Sequence, residues 1–329
     1  MSVSCFISIA LVTLVVTLGQ TAGGDPATPS LTGELFNFDK SKRAKITSTY
    51  RIQGDKLNDI SAAGLSGIAW DQDENSLYVV SDFGDIFDFS ISIVNDKIQK
   101  VKLIAQYPLR DKSGKRLKGK LNDAEGLDVA NARNGIAGDT ELIVAYERRP
   151  RVTIHSPYGV WLDTITLGEL LASRKNHRKP NKSIETVLVH SKYGLLLGPE
   201  VAMAGQSPLH HVIFNQNGDQ SWSFRTGLNE TTSFSGMEEL GNGDLLVLER
   251  TFDDISSPFD ITLRRINFSE CVPGSICEAE TLMIANSQEH LNLDNFEGLA
   301  KIDDGRYLMV SDNNENKTQR NLLSLIVLR

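Results

Sequence analysis

Apolar and polar residues alternate along this chain in short runs with a period of two, the spacing of half-buried strands rather than of helices. The pattern is sharpest near the C-terminus. Glu297 to Ile302 alternates towards apolar, Asp304-Gly305 is a tight-turn dipeptide, and Tyr307 to Val310 is a β-rich return strand, which together predict a β-hairpin. In such a hairpin the start of the first strand and the end of the second meet away from the turn, so Glu297 and Asp312 are expected close together. The unit recurs four more times: Ser66 to Trp70 with Leu77 to Asp82, Glu125 to Val129 with Leu142 to Glu147, Glu185 to Val189 with Leu195 to Glu200, and Ser235 to Glu239 with Leu245 to Glu249. Successive copies stand about 50 to 60 residues apart.

A repeat of that length is too small to bury both faces of its own sheet, and none carries its own disulfide or metal knot. Stacked radially, neighbouring sheets cover each other, so the expected fold is an all-β propeller. Outer strands follow each of the first four hairpins: Phe87 to Val94 and Val101 to Tyr107, Val152 to Ser156 and Val160 to Leu167, His211 to Asn215 and Ser221 to Thr226, Ile261 to Asn267 and Glu280 to Ala285. The last repeat ends on a third strand, Leu322 to Leu328, with nothing after it, while Ala44 to Gln53 is a strand that precedes every repeat. Pairing these two would close the ring and remove an open edge. The count is five blades; a sixth, degenerate one between Gly205 and Phe234 is the alternative, for which the spacing leaves little room. Leu167 to Ser173 reads as a helical turn, and Arg174 to Lys182 as a basic, Pro-containing loop.

The N-terminus changes this picture only at its edge. Residues 1–24 hold an apolar run, Phe6 to Leu18, followed by small residues, and read as a signal peptide although no Lys or Arg precedes the run. Residues 25–43 read as a linker and 44–329 as the propeller domain. The expected location is secreted or periplasmic, with no membrane span left after cleavage and a monomeric chain. Cys271 and Cys277 bracket a Pro-Gly turn, which in an exported chain suggests a disulfide; metal ligation and two free thiols are the other readings. The net charge is −8, which argues against a nucleic-acid partner held through phosphates.

If the hairpins are the inner strands of blades, their open ends gather at one mouth of the central channel. Glu125, Glu185 and Glu297 stand on first strands, with Ser66 and Ser235 in the other two repeats. Asp82, Glu147, Glu200, Glu249 and Asp312 end the second strands. Like charges at such distances raise one another's pKa or recruit cations, and an oxygen-only set suits Ca²⁺; Asn122, Asp123, Asn313 and Asn314 add donors. The plainer reading is that these acids accept backbone hydrogen bonds and pair with arginines such as Arg148 and Arg250. A basic stretch from Arg110 to Lys120 leads into Asn122-Asp-Ala-Glu125 and is expected over the same mouth, where with Arg148, Arg149 and Arg151 it would hold an anion. Asp71 to Asn75 lacks the glycine of an EF-hand loop, Gly64-Leu-Ser-Gly is no nucleophile elbow, and the six histidines show no zinc spacing.

Gly64-Leu-Ser-Gly-Ile-Ala with Val79-Val-Ser-Asp82, Asn122-Asp-Ala-Glu-Gly-Leu127, Ile184-Glu185 with Leu195 to Glu200, and Phe296-Glu-Gly-Leu-Ala300 with Val310-Ser-Asp-Asn313 together resemble the phytase-like domain family, described as esterase-like activity of phytase. The resemblance runs from about residue 60 to the end. It implies an exported propeller that hydrolyses phosphate or carboxylate esters with calcium. Ser66 and Ser235 depart from the acidic pattern and argue against a symmetric metal cage. The expectation is a Ca²⁺-dependent hydrolase of a small anionic, phosphate ester. Glu125, Glu185, Glu297 and Asp312 would hold the cation, Glu200 or Asp82 would take the proton, and Arg148 and Arg250 would neutralise developing charge. A non-catalytic binding propeller and a lactonase-type propeller are the alternatives.

Overall fold

The computed structural model describes residues 43–52, 62–179, 181–252, 258–289, 293–313 and 319–329. The signal segment, nearly all of the linker, His290 and Asn314 fall outside these ranges. Strand β1 (Ala44–Arg51) comes first. The first blade then comprises β2 (Leu65–Asp71), β3 (Ser76–Ser81), β4 (Asp85–Val94) and β5 (Lys97–Pro108). The second holds β6 (Ala124–Ala130), β7 (Glu141–Tyr146), β8 (Arg151–His155) and β9 (Trp161–Ile165). The third follows a short helix α1 (Glu169–Ala172) and holds β10 (Ile184–His190), β11 (Gly194–Pro199), β12 (His210–Asn215) and β13 (Ser221–Arg225). The fourth is β14 (Thr232–Glu239), β15 (Leu245–Thr251), β16 (Asp260–Ile266) and β17 (Ala279–Asn286). The fifth is β18 (Phe296–Asp303), β19 (Arg306–Ser311) and β20 (Leu322–Leu328), completed by β1 on its outer edge.

These are five four-stranded antiparallel sheets, and the first strands touch in the cyclic order β2, β6, β10, β14, β18 and back to β2. The fold is a five-bladed propeller closed by its two ends, as the orphan strands imply. The stretch between Gly205 and Phe234, the alternative place for a sixth blade, is occupied by β12 and β13 of the third. Period-two alternation explains the packing. Along β7, Leu142, Val144 and Tyr146 face the first blade, whereas Ile143 and Ala145 face the third. Five apolar clusters result, one in each gap between adjacent blades, so no blade owns a core of its own. The turns of β14–β15 and β18–β19 rest on Gly243 and Gly305, at φ of 81° and 92°, a region that a side chain disfavours.

The Cys271–Cys277 disulfide forms. Its loop lies against the edge of the third blade, where the Cys277 N–H donates to the Ser223 carbonyl at 2.7 Å and the Trp222 indole donates to the Cys271 carbonyl at 3.3 Å. It therefore ties the fourth blade to the third. Among the described residues no helix is long and apolar enough to cross a membrane.

Candidate active site at the channel mouth

Every first strand carries a β-bulge at the same place. The pairing shifts across Ser66-Gly67, Glu125, Glu185, Ser235 and Glu297. A bulge inserts one unpaired residue and re-aims its side chain. Here it sets Glu125, Glu185 and Glu297 at the mouth. In four blades the next residue is glycine, and the reason is steric. A Cβ on Gly67, Gly126 or Gly298 would stand 2.4–2.8 Å from backbone atoms of the next inner strand. In the third blade Thr186 takes that place, and Gly198 on the paired strand leaves room for it.

A second ring sits one residue beyond the register pair that flanks each bulge on its open side. It consists of Asp82, Glu147, Glu200, Arg250 and Asp312, aligned with Gly64, Asp123, Ser183, Ser233 and Asn295 across the pair. This corrects the expectation that Glu249 supplies the fourth acid. Glu249 pairs with Phe234 and points into the gap between the third and fourth blades. There its Oε1 lies 3.2 Å from His211 Nε2 and 3.4 Å from Arg264 Nη1. The ring thus places a guanidinium, not a carboxylate, in the fourth blade.

Arg250 organises one half of the mouth. It is buried, bonds Glu297 and Asn295 through Nη1, and approaches Glu200 at 3.2 Å and Glu185 at 3.9 Å through Nη2. Burial by itself would disfavour its charge, but Glu297, Glu200 and Glu185 outweigh burial and raise its pKa further. Burial likewise pushes Glu200 upward, yet Arg250 and Lys182 together hold its carboxyl below the usual range. Lys182 Nζ sits 2.6 Å from Glu200 Oε1, and Ser233 Oγ donates to the same oxygen at 2.8 Å.

Among the described residues, the other half has no buried arginine of this kind. Asp123, Glu125 and Glu147 each offer an oxygen within 4.8 Å of the other two, and Glu147, Glu185 and Glu200 do the same. Glu147 is the vertex the two groups share. Among the described residues, no hydrogen bond or ion pair reaches the Glu125 carboxylate. Burial first, then Glu185, Glu297, Glu147 and Asp123, push its pKa well above the ordinary value. Glu297 lies two blades away around the ring, so these side chains meet across the channel axis. Burial, Glu200 and Asp123 raise Glu147 to about 8. Burial, Glu200 and Glu147 also raise Glu185, against the pull of Arg250. Arg148 answers this charge from the rim, with Nε 3.3 Å from Asp123 Oδ2 and its side chain half exposed.

The structure brings together Glu125, Glu185, Glu297, Glu200 and Arg250 of the expected set, and Arg148 beside them. Asp82 and Asp312 hold the equivalent register, their N–H groups donating to the Gly64 and Asn295 carbonyls. Asp123 and Glu147 enter as principal groups. Two residues of the basic stretch 110–120 are engaged away from the acids of the ring: Arg116 pairs with Asp85, and Arg110 donates to the Gly114 carbonyl. Arg151 stacks over the Tyr146 ring at 3.6 Å. Asp71 caps its own turn and accepts from Thr140 of the next blade.

The sequence profile of the phytase-like family, described as esterase-like activity of phytase, matches residues 60–315. No curated protein matches the chain. Among solved structures, U3-55K is similar at 12% identity and a TM-score of 0.47, over 85% of this chain and 98% of that one. A gluconolactonase from Xanthomonas campestris is similar at 10% identity and a TM-score of 0.42, over 92% and 99%. At these values neither likeness bears on what the chain does.

Proposed function

We propose, for a chain that belongs to the phytase-like family, hydrolysis of a small anionic ester, a phosphate ester in the first instance, at the Glu147 side of the channel mouth with a divalent cation. The family supports a hydrolase-type propeller; cation and substrate are our reading. The observation that carries it is the Asp123–Glu125–Glu147 group, whose mutual spacing is that of oxygens sharing one ion and which, among the described residues, is met by a base through the half-exposed Arg148 at Asp123 and through Lys182 acting on Glu147. Three carboxylates suit a hard, oxygen-seeking cation such as Ca²⁺. The opposite side does not suit one, because Arg250 already lies against Glu297 and Asn295.

A bound cation would supply Lewis acidity to the ester and acidify water. Asp123, Glu125 and Glu147 would hold it, and the half-exposed Arg148 would meet the anionic part of the substrate. Glu185, whose pKa burial, Glu200 and Glu147 raise, would accept the proton of the attacking water. Glu200 is held ionised by Arg250 and Lys182, so it serves better to position Lys182, while Asp82 would line the rim at the adjoining first blade. Glu297 and Arg250 fix the floor. The disulfide supports an oxidising, extracytoplasmic setting.

Glu147→Gln tests the assignment, because it keeps shape and removes the shared charge. With phenyl phosphate as substrate, turnover that requires calcium should fall by about 100-fold or more. Calcium-dependent turnover unchanged in the variant would sink the assignment.

A further inference from the structure

We propose that the outer edge of the first blade and the hairpin that follows it form a docking surface for an acidic polysaccharide, a flexible chain of sulfate and carboxylate groups. The inference does not rest on the hydrolytic reading of the mouth. Residues 97–120 hold nine Lys or Arg and one acid, Asp111, a local charge of +8 in a chain whose net charge is −8, which leaves −16 for the rest. All seven lysines of the segment are exposed. Among the described residues, Arg116 alone of the nine bases forms an ion pair, with Asp85. Asp111 is spent on its own turn, where Oδ1 accepts from the Ser113 N–H at 2.8 Å and the Lys115 N–H at 3.0 Å.

The fold gathers these charges on one side. Along β5, Ile98, Val101 and Leu103 pack into the gap with the fifth blade. Alternation therefore turns Lys100 and Lys102 to the opposite face, in register with Ser92 and Ser90 of β4. The chain then leaves the blade through a second antiparallel pair. The Leu117 N–H donates to the Leu109 carbonyl and the Asp111 N–H to the Lys115 carbonyl, both at 2.8 Å. Leu109 and Leu117 are buried between the first and second blades, and the Arg110 N–H donates to the Gly159 carbonyl of the second blade at 3.0 Å. The hairpin is thus a fixed arm rising from the face that carries Lys100 and Lys102, and Lys112, Lys115, Lys118 and Lys120 continue the basic strip.

Charge selects an anion, and shape selects which one. Screening confines each repulsion to about 10 Å at 0.1 M salt. A thin, flexible chain that follows the strand and then the arm escapes the acids beyond that reach, whereas a rigid duplex or a flat bilayer presses against the acidic remainder. The segment holds no Trp or Phe to enter a lipid interface. Its one aromatic ring, Tyr107, is set edge-on against Tyr158 at 5.4 Å rather than open for stacking on bases.

The test titrates the full chain with heparin by calorimetry at several salt concentrations. Wild type should bind, and should lose about 100-fold in affinity between about 50 and about 200 mM NaCl, the loss that release of about four counterions produces. A variant combining Lys100→Gln, Lys102→Gln, Lys115→Gln and Lys118→Gln should bind about 100-fold more weakly, about threefold for each exposed charge, with its melting temperature unchanged. The same four positions changed to Arg should retain binding. Phosphatidylserine–phosphatidylcholine vesicles and a short DNA duplex, supplied at equal anionic charge, should bind more weakly than heparin. A wild type that ignores heparin at the lowest salt, or heparin affinity that survives the four Gln changes, overturns the surface. Vesicles or duplex bound as tightly as heparin overturn its assignment to a polysaccharide.

Discussion

Arg250 is the residue on which half of the site turns. It stands where the other four repeats carry a carboxylate, and its charge is enclosed by Glu185, Glu200, Glu297 and Asn295. Removing one partner of a buried charge network leaves the others uncompensated, which costs about 3–5 kcal/mol. Arg250→Met should therefore lower stability by that amount in urea unfolding near pH 7, and adding Glu297→Gln should restore part of it. A loss below about 1 kcal/mol, the range of a surface pair, would show that the network is not load-carrying. Glu147 presents the converse case: Asp123 and Glu200 beside it are acids, Arg148 reaches Asp123 only from the half-exposed rim, and a cation from solution would stand where the fourth blade has its buried arginine. The two neighbouring residues Glu249 and Arg250 also mark the limit of sequence reading. An acid count assigns Glu249 to the ring, but strand faces alternate residue by residue, and a one-residue slip in register exchanges them.

At the scale of the strand, the bulge and its glycine explain how the acids reach the axis. Gly298 is the clearest instance, since a Cβ there would lie 2.4 Å from the Ser66 carbonyl oxygen across the closing seam. Gly298→Ala should cost more than about 2 kcal/mol, as overpacking against a fixed backbone does. Gly274, whose Cβ would meet nothing within 4 Å, is excluded as a control by its φ of 85°; Thr186→Ala, in the corresponding third-blade position, should be milder. Equal effects of Gly298→Ala and Thr186→Ala would contradict the packing account. Much of this level is legible in the sequence. The hairpins announce themselves through turn dipeptides and alternation, and the closure follows from two unpaired strands. The bulge is signalled too, by Ser66-Gly67, Glu125-Gly126, Ser235-Gly236 and Glu297-Gly298, because an isolated glycine within a strand marks a bulge or a close approach. Loop side chains are not legible in this way: nothing local to Lys182 indicates that it returns to Glu200, or to Arg116 that it pairs with Asp85.

At the scale of the whole ring, the two mouths are built for different ends. At the turn end, Asp128 accepts from the Val189 N–H, Glu238 from Lys301 and Glu239 from Ser191, each crossing from one blade to the next. Arg133 reaches Gln72, Lys301 and Ile302 and so spans the seam between the last blade and the first. These acids clasp blades together, whereas those at the other mouth face one another. Burial and Asp128 raise Glu238 to about 8, against its hydrogen bond from Lys301. A carboxyl raised in the folded state holds a proton that the unfolded chain has released. Its contribution is complete below its ordinary value and is lost as pH rises through about 8. Stability in EDTA should fall from pH 5 to pH 8, and Glu238→Gln, which keeps the acceptor for Lys301, should flatten that slope. An identical slope in the variant would assign it elsewhere.

The ring joins these scales, because no blade has a core of its own and the acids of several blades meet at one mouth. A cation bound there would bridge blades and stabilise the whole fold by mass action. The most direct measurement is the metal content of the purified protein, paired with its melting temperature in EDTA and after calcium is restored. The account predicts a bound divalent ion, a lower melting temperature when it is removed, and recovery on adding calcium, all lost in Glu147→Gln. A metal-free protein whose melting temperature ignores both EDTA and calcium would contradict it.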